Sequence, residues 1–80
     1  MINEREITVE GLLFKVQLHM CFMLVIVEID NITIMVKHSF EPEVMLPERF
    51  DIFNGPKPQE IAKKEYKWLK PLLATSSQLK

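Results

Sequence analysis

The strongest constraint on the fold is a run of β-branched residues that is interrupted by a short polar turn. Residues 22–36 read FMLVIVEIDNITIMV, and β-branched side chains favour strands over helices. Asp30 and Asn31 interrupt the run, and both residue types tolerate the positive φ angles of a tight hairpin turn. The sequence therefore predicts an antiparallel β-hairpin that turns at Asp30-Asn31.

This hairpin predicts two apolar surfaces, because directly opposed residues share a face of the sheet. One face carries the pairs Ile29–Ile32, Val27–Ile34, Val25–Val36 and Met23–His38. The other carries Glu28–Thr33, Ile26–Met35, Leu24–Lys37 and Phe22–Ser39. A single helix covers only one face of a small sheet. We therefore expect the uncovered face to form an interface with a second copy, as a two-fold homodimer, or with a protein partner. The candidate interface residues are Phe22, Leu24, Ile26 and Met35. The face with Val25, Val27, Ile34 and Val36 is the alternative, unless Phe50 and Phe53 of the connector supply the missing cover.

The N-terminal segment predicts a further hairpin. Residues 3–9 alternate in polarity, and Glu10-Gly11 can form a turn that places Val9 opposite Leu12 and Ile7 opposite Phe14. From there to residue 29 no residue marks a turn. The absence of turn residues favours one long bent strand. A chain reversal near 19–21, giving a four-stranded meander, and a helix over residues 12–24 are the alternatives.

The second half of the chain predicts a connector and a helix. Residues 41–57 contain Pro42, Pro47 and Pro56, which exclude a central strand. Pro47 can open a short helical turn that projects Phe50 and Phe53 to one side. Residues 58–70 have helical periodicity, with an apolar stripe through Ile61, Trp68, Leu69 and Leu72 that only Glu65 interrupts.

These segments predict a single α+β domain over residues 1–80. Its parts are a small antiparallel sheet of three or four strands (3–40), a proline-containing connector (41–57), one C-terminal helix packed on one face (58–70) and a frayed tail (74–80). Pro71 is expected to kink or end the helix, because it cannot donate a hydrogen bond to the Lys67 carbonyl.

Composition limits the setting in which the chain works. Its 80 residues are 48% hydrophobic, too rich for a disordered chain, and Cys21 is its only cysteine, as is typical of reducing compartments. No basic leader and no apolar run of about 20 residues is apparent. We expect a cytoplasmic protein without a membrane contact.

Catalytic patterns are weak throughout the sequence. His19, Cys21 and His38 include zinc-ligand types, but about 13 Å separates the two histidines along a continuous strand, so we expect no metal site and Cys21 in the core. His38 and Ser39 point to opposite faces as strand neighbours. The sequence predicts no cofactor, and a small metal-dependent or other enzyme is the third-ranked function.

Charge separates the two leading functions. Residues 1–56 hold nine acidic and four basic residues, and residues 57–80 hold six lysines and two glutamates. The first set favours a non-catalytic protein-interaction module that binds a basic target, of the kind found among phage or bacterial inhibitors and antitoxins. The alternative is nucleic-acid binding by the basic residues of the helix: Lys63, Lys64, Lys67 and Lys70.

Overall fold

The computed structural model describes residues 1–79, with side chains as far as residue 73. Its elements are four strands and two helices: β1 (Asn3–Val9), β2 (Leu12–Leu18), β3 (Phe22–Ile29), β4 (Ile32–Ser39), α1 (Leu46–Asn54) and α2 (Lys57–Leu79). The strands form one antiparallel sheet in the order β1-β2-β3-β4. The α+β class and the antiparallel sheet are confirmed, with four strands rather than three.

Both hairpins have the predicted registers. Ile29 pairs with Ile32 and Val9 with Leu12, and the pairing continues residue by residue away from each turn. The turn residues have positive φ angles: 51° and 67° at Asp30 and Asn31, and 51° and 83° at Glu10 and Gly11. Only glycine adopts such angles without cost, and Asn and Asp adopt them more readily than other residues.

The favoured long strand over residues 12–29 is wrong, because the chain reverses at His19, Met20 and Cys21. The backbone N–H of His19 donates to the Phe22 carbonyl at 2.8 Å, and the N–H of Phe40 donates to the Cys21 carbonyl at 2.9 Å. The Arg49 side chain donates to the carbonyl of Met20. The reversal is thus stabilised by contacts with later parts of the chain, and turn-forming residues are not needed.

The connector contains a helix of its own, so the expectation of one helix is incomplete. Pro47 lies in the first turn of α1, where its missing N–H has no helical acceptor to serve. Phe53 of α1 is fully buried and Phe50 is partly buried against the core. The two aromatic rings therefore fix the connector to the sheet, as their spacing predicts.

Helix α2 is longer than its sequence suggests. It passes through Pro71 and ends at Leu79, whereas the predicted end was at residue 70. The predicted frayed tail at 74–80 falls on residues whose side chains, and for residue 80 the backbone as well, lie outside the described part of the structure. Over its first turns the buried side follows the helical period: Pro58, Ile61, Ala62, Glu65 and Leu69.

The two helices cover one face of the sheet. The buried strand residues all project to that side: Ile7, Phe14, Val16, Leu18, Met23, Val25 and Val27. They form one core with Phe53, Ile61, Ala62 and Leu69. Arg5 fastens the border of this layer, since its guanidinium donates to the carbonyls of Phe53 and Gly55 at 3.0 and 2.9 Å. No helix of the described residues packs on the opposite face, which we call the open face.

Candidate functional site

The open face carries the residues that the sequence predicts as an interface. Phe22, Leu24 and Ile26 are half-buried by their neighbours on the sheet, and the Met35 side chain is 63% exposed. Leu13, which lies outside the predicted β3–β4 hairpin, extends the patch onto β2 with 45% exposure. The alternation of side chains along the strands therefore leaves a contiguous apolar surface without cover in the described chain.

The two edges of the sheet differ in chemistry. In an antiparallel ladder, alternate residues direct their backbone groups to the same neighbour. Given the registers, Thr33, Met35 and Lys37 direct their N–H and C=O groups away from β3, toward the free edge of β4. On β1 the corresponding outward positions are Glu4, Glu6 and Thr8. Two glutamates thus occupy outward positions of the β1 edge, whereas the β4 edge has one lysine and a methionine at its centre.

The four lysines of the nucleic-acid hypothesis are all exposed on α2, but they do not form one group. By the helical period, Lys63, Lys67 and Lys70 lie on the side away from the sheet. Lys64 faces a cavity at the start of α2 instead. Trp68 is 44% exposed and lies on a different side of the helix from the outward lysines. Trp68 and Leu72 lie on the predicted apolar stripe, but Leu72 is 54% exposed as well, so the stripe does not reach the core at these two positions.

A polar cluster is buried between β4 and α2. Glu65 is 3% exposed, and its Oε1 lies 2.7 Å from Nε2 of His38. Its second carboxylate oxygen accepts a hydrogen bond from the Trp68 indole. Burying a carboxylate is costly unless each oxygen has a partner, and the sheet and the helix each supply one here. The carboxylate consequently fixes the orientation of the His38 ring.

The cavity beside this cluster has a volume of about 360 Å³. Its apolar lining comes from Met23, Phe40 and Ile61, and its polar rim contains His38, Lys57, Glu60 and Lys64. The cavity lies where the start of β3 and the end of β4, which are far from the hairpin turn, meet the first turns of α2. An imidazole, two ammonium groups and an apolar floor come together in this partly open cavity.

The residues weighed as zinc ligands are not brought together. The His19 ring stacks on Phe22, with 4.5 Å between the ring centroids, and bonds the Gln17 side chain at 3.0 Å. Cys21 is exposed in the reversal, so its expected place in the core is wrong. Within the described part of the chain, no three His, Cys, Asp or Glu side chains are grouped so as to hold a metal ion.

Sequence reasoning missed His38, Glu65 and Lys57 as members of one site. The available signal was Glu65, the lone carboxylate on the buried stripe of a helix, which required a partner on the sheet. His38 is the polar residue of β4 on the covered face of the sheet, which is the face that packs against this stripe. Lys57 gave no such signal, because its place at the cavity follows from where α2 starts over the sheet.

Among the residues described, no helix has the length and apolar character needed to cross a membrane. Comparisons of this chain with protein-family models, with curated proteins and with solved structures find no significant match.

Proposed function

We propose that this protein is a non-catalytic protein-interaction module that assembles as a two-fold dimer through the free edge of β4. The single observation that carries the proposal is the contrast between the two edges: the outward positions of β4 are Thr33, Met35 and Lys37, with the methionine at the centre, whereas those of β1 include Glu4 and Glu6. Unpaired strand edges are templates for a further strand, and proteins that must not pair there place charges on them.

The β4 strand is complementary to itself in one register. An antiparallel pair with Met35 on the two-fold axis places Thr33 of one copy opposite Lys37 of the other, and these are the positions with outward backbone groups. On the helix-covered side the same register places Ile34 opposite Val36. Cross-strand pairs of β-branched residues stabilise a sheet, so both sides of the joint are favourable.

Charge supports the same register. Lys37 of one copy, Thr33 of the second copy and Glu28 of the second copy fall into one row on the open face. The row spans two strand spacings, roughly 10 Å, which a lysine and a glutamate reach across a small threonine. In the single chain the Lys37 ammonium lies 5.1 Å from the Phe22 ring centroid, a weak exposed contact that the ion pair would replace.

The joined sheet would present one continuous apolar strip. Ile26 and Met35 of each copy line up across the axis, with Leu24 and Phe22 beside them. This strip and the acidic residues 1–56 favour a protein target with a basic surface. The nucleic-acid alternative is less well supported, because only Lys64 of the four lysines shares a side of α2 with Trp68.

The test compares two equally exposed methionines. Met35→Glu places two carboxylates together at the axis, so we expect at least about a 100-fold weaker self-association with an unchanged circular dichroism spectrum. Met20→Glu is the matched control, since Met20 is 61% exposed and lies in the β2–β3 reversal. Sedimentation equilibrium measures both variants. A wild-type chain that stays monomeric up to its solubility limit contradicts the proposal.

Amide exchange distinguishes the edge from the face. In the proposed dimer the amides of Thr33, Met35 and Lys37 become protected as the concentration rises, whereas those of Glu4 and Glu6 on β1 do not. Dimerisation without this protection would mean that the copies associate through the open face alone.

A further inference from the structure

We propose that the cavity between the β3–β4 hairpin and α2 binds a small organic anion with one anionic group and a compact apolar body. This site is separate from the β4 edge. Its volume of about 360 Å³ falls in the range of small-molecule sites, about 300–1,000 Å³. The two lysines, the His38 ring and the apolar floor each match one part of such a ligand.

Two lysines and one glutamate line the rim of the cavity, and the Glu65 carboxylate lies behind His38. Lys57 and Lys64 lie on one side of α2, seven residues apart, and the acidic residue beside them at the cavity is Glu60. The other three lysines that were expected to act together, Lys63, Lys67 and Lys70, do not line the cavity. Two ammonium groups in a concave site attract an anion more strongly than the same groups on an open surface.

The His38 ring presents a defined hydrogen-bonding group to the cavity. The Glu65 carboxylate accepts a hydrogen bond from the Trp68 indole. An ionised carboxylate can only accept, so the Nε2 atom of His38, which bonds its other oxygen, is the donor. The Nε2 proton is thereby fixed, and Nδ1 is the nitrogen left for a ligand. No protein group of the described chain bonds Nδ1. A buried carboxylate that bonds one ring nitrogen holds the imidazole in one orientation before a ligand binds.

The floor provides the apolar contact. Met23 is 1% exposed and Ile61 is 6% exposed, while the Phe40 ring packs partly against the core and lies 5.5 Å from the Arg49 guanidinium. A ligand body on this floor would be removed from water while its anionic group remains at the lysine rim. An inorganic anion would use the rim alone, and an uncharged body would use the floor alone.

Three probes separate these contributions: phenyl phosphate, inorganic phosphate and benzyl alcohol. They are titrated into the full chain while the signals of the Met23 methyl group and the His38 ring are followed by NMR. We expect saturable shifts with phenyl phosphate and at least about tenfold weaker binding of the other two probes. Equal affinity for phenyl phosphate and inorganic phosphate, or no saturable shift, would overturn the proposal.

Adjacent lysines provide a matched pair of variants. Lys64→Gln and Lys63→Gln each remove one exposed charge from α2, but only Lys64 lines the cavity. We expect Lys64→Gln to weaken phenyl phosphate binding about tenfold and Lys63→Gln to change it less than about twofold, at constant ionic strength. Equal losses in both variants would show attraction by the helix as a whole and would exclude the cavity as the site.

Discussion

The two faces of the sheet are built from alternate residues of the same strands, and they differ in how completely the rest of the chain uses them. On the covered face Phe14 is fully buried, whereas its neighbour Leu13 on the open face is 45% exposed. Against the covered face lies the buried Glu65 carboxylate of α2 with two hydrogen-bond partners, while the open face has exposed polar pairs such as Gln17 and Glu4, 2.9 Å apart. The comparison teaches that the packing of side chains is completed on one side of the sheet and left incomplete on the other.

The largest expected difference in stability is between variants that truncate Phe14 and Leu13 to alanine. Phe14→Ala should lower the free energy of unfolding by about 3–5 kcal/mol, because it leaves a cavity in the core. Leu13→Ala should lower it by less than about 1 kcal/mol. Urea denaturation measures both in a Met35→Glu background, so that self-association does not contribute.

If Phe14→Ala does not fold, Phe14→Leu replaces it, with an expected loss of about 1–2 kcal/mol. Equal losses at positions 13 and 14 would mean that the open face is covered in solution, and the comparison of the two faces would fail.

The next effect compares two carboxylates. Glu65→Ala leaves the His38 and Trp68 donors without their acceptor, and we expect a loss of about 2–3 kcal/mol. Glu4→Ala removes only an exposed hydrogen bond and should change stability by less than about 0.5 kcal/mol. The free energies of unfolding come from the same denaturation experiment. A loss at Glu65 as small as that at Glu4 would show that the buried cluster adds nothing to the covered face.

The smallest effect concerns the border of the covered layer. Arg5→Met and Arg49→Met each remove hydrogen bonds to backbone carbonyls, of residues 53 and 55 in the first case and of residue 20 in the second. We expect losses of about 1–2 kcal/mol each. Lys15→Met, an exposed cation on the open face, is the control and should change stability by less than about 0.5 kcal/mol. Thermal unfolding measures the stability of the three variants. A larger loss of stability in Lys15→Met than in the two arginine variants would contradict the prediction.

The sequence was sufficient to predict features that local residues determine. Asp30-Asn31 and Glu10-Gly11 form their turns with positive φ angles at each position, and the registers follow from those turns. The reversal at residues 19–21 could not be predicted in this way, because Arg49, which bonds the Met20 carbonyl, lies 29 residues along the chain. The continuation of α2 through Pro71 likewise contradicts a local rule.

The candidate sites show the same division. Phe22, Leu24, Ile26 and Met35 could be placed on one face from their alternation alone. The cavity required knowledge of where α2 crosses the sheet, since Lys57 and Met23 are far apart in sequence and meet only through the packing of the helix. Periodicity identifies the side on which a residue lies, but it does not identify the neighbour on the next element.

The unequal edges of the sheet also limit how many copies can join. Once β4 of one chain is paired with β4 of another, each remaining boundary of the enlarged sheet is a β1 strand with Glu4 and Glu6 in its outward positions. Two such boundaries would repel each other, so in the proposed assembly addition would end after a single partner and no fibre would grow. In the proposed assembly the carboxylates of β1 would therefore prevent further strand pairing at the outer edges of the sheet.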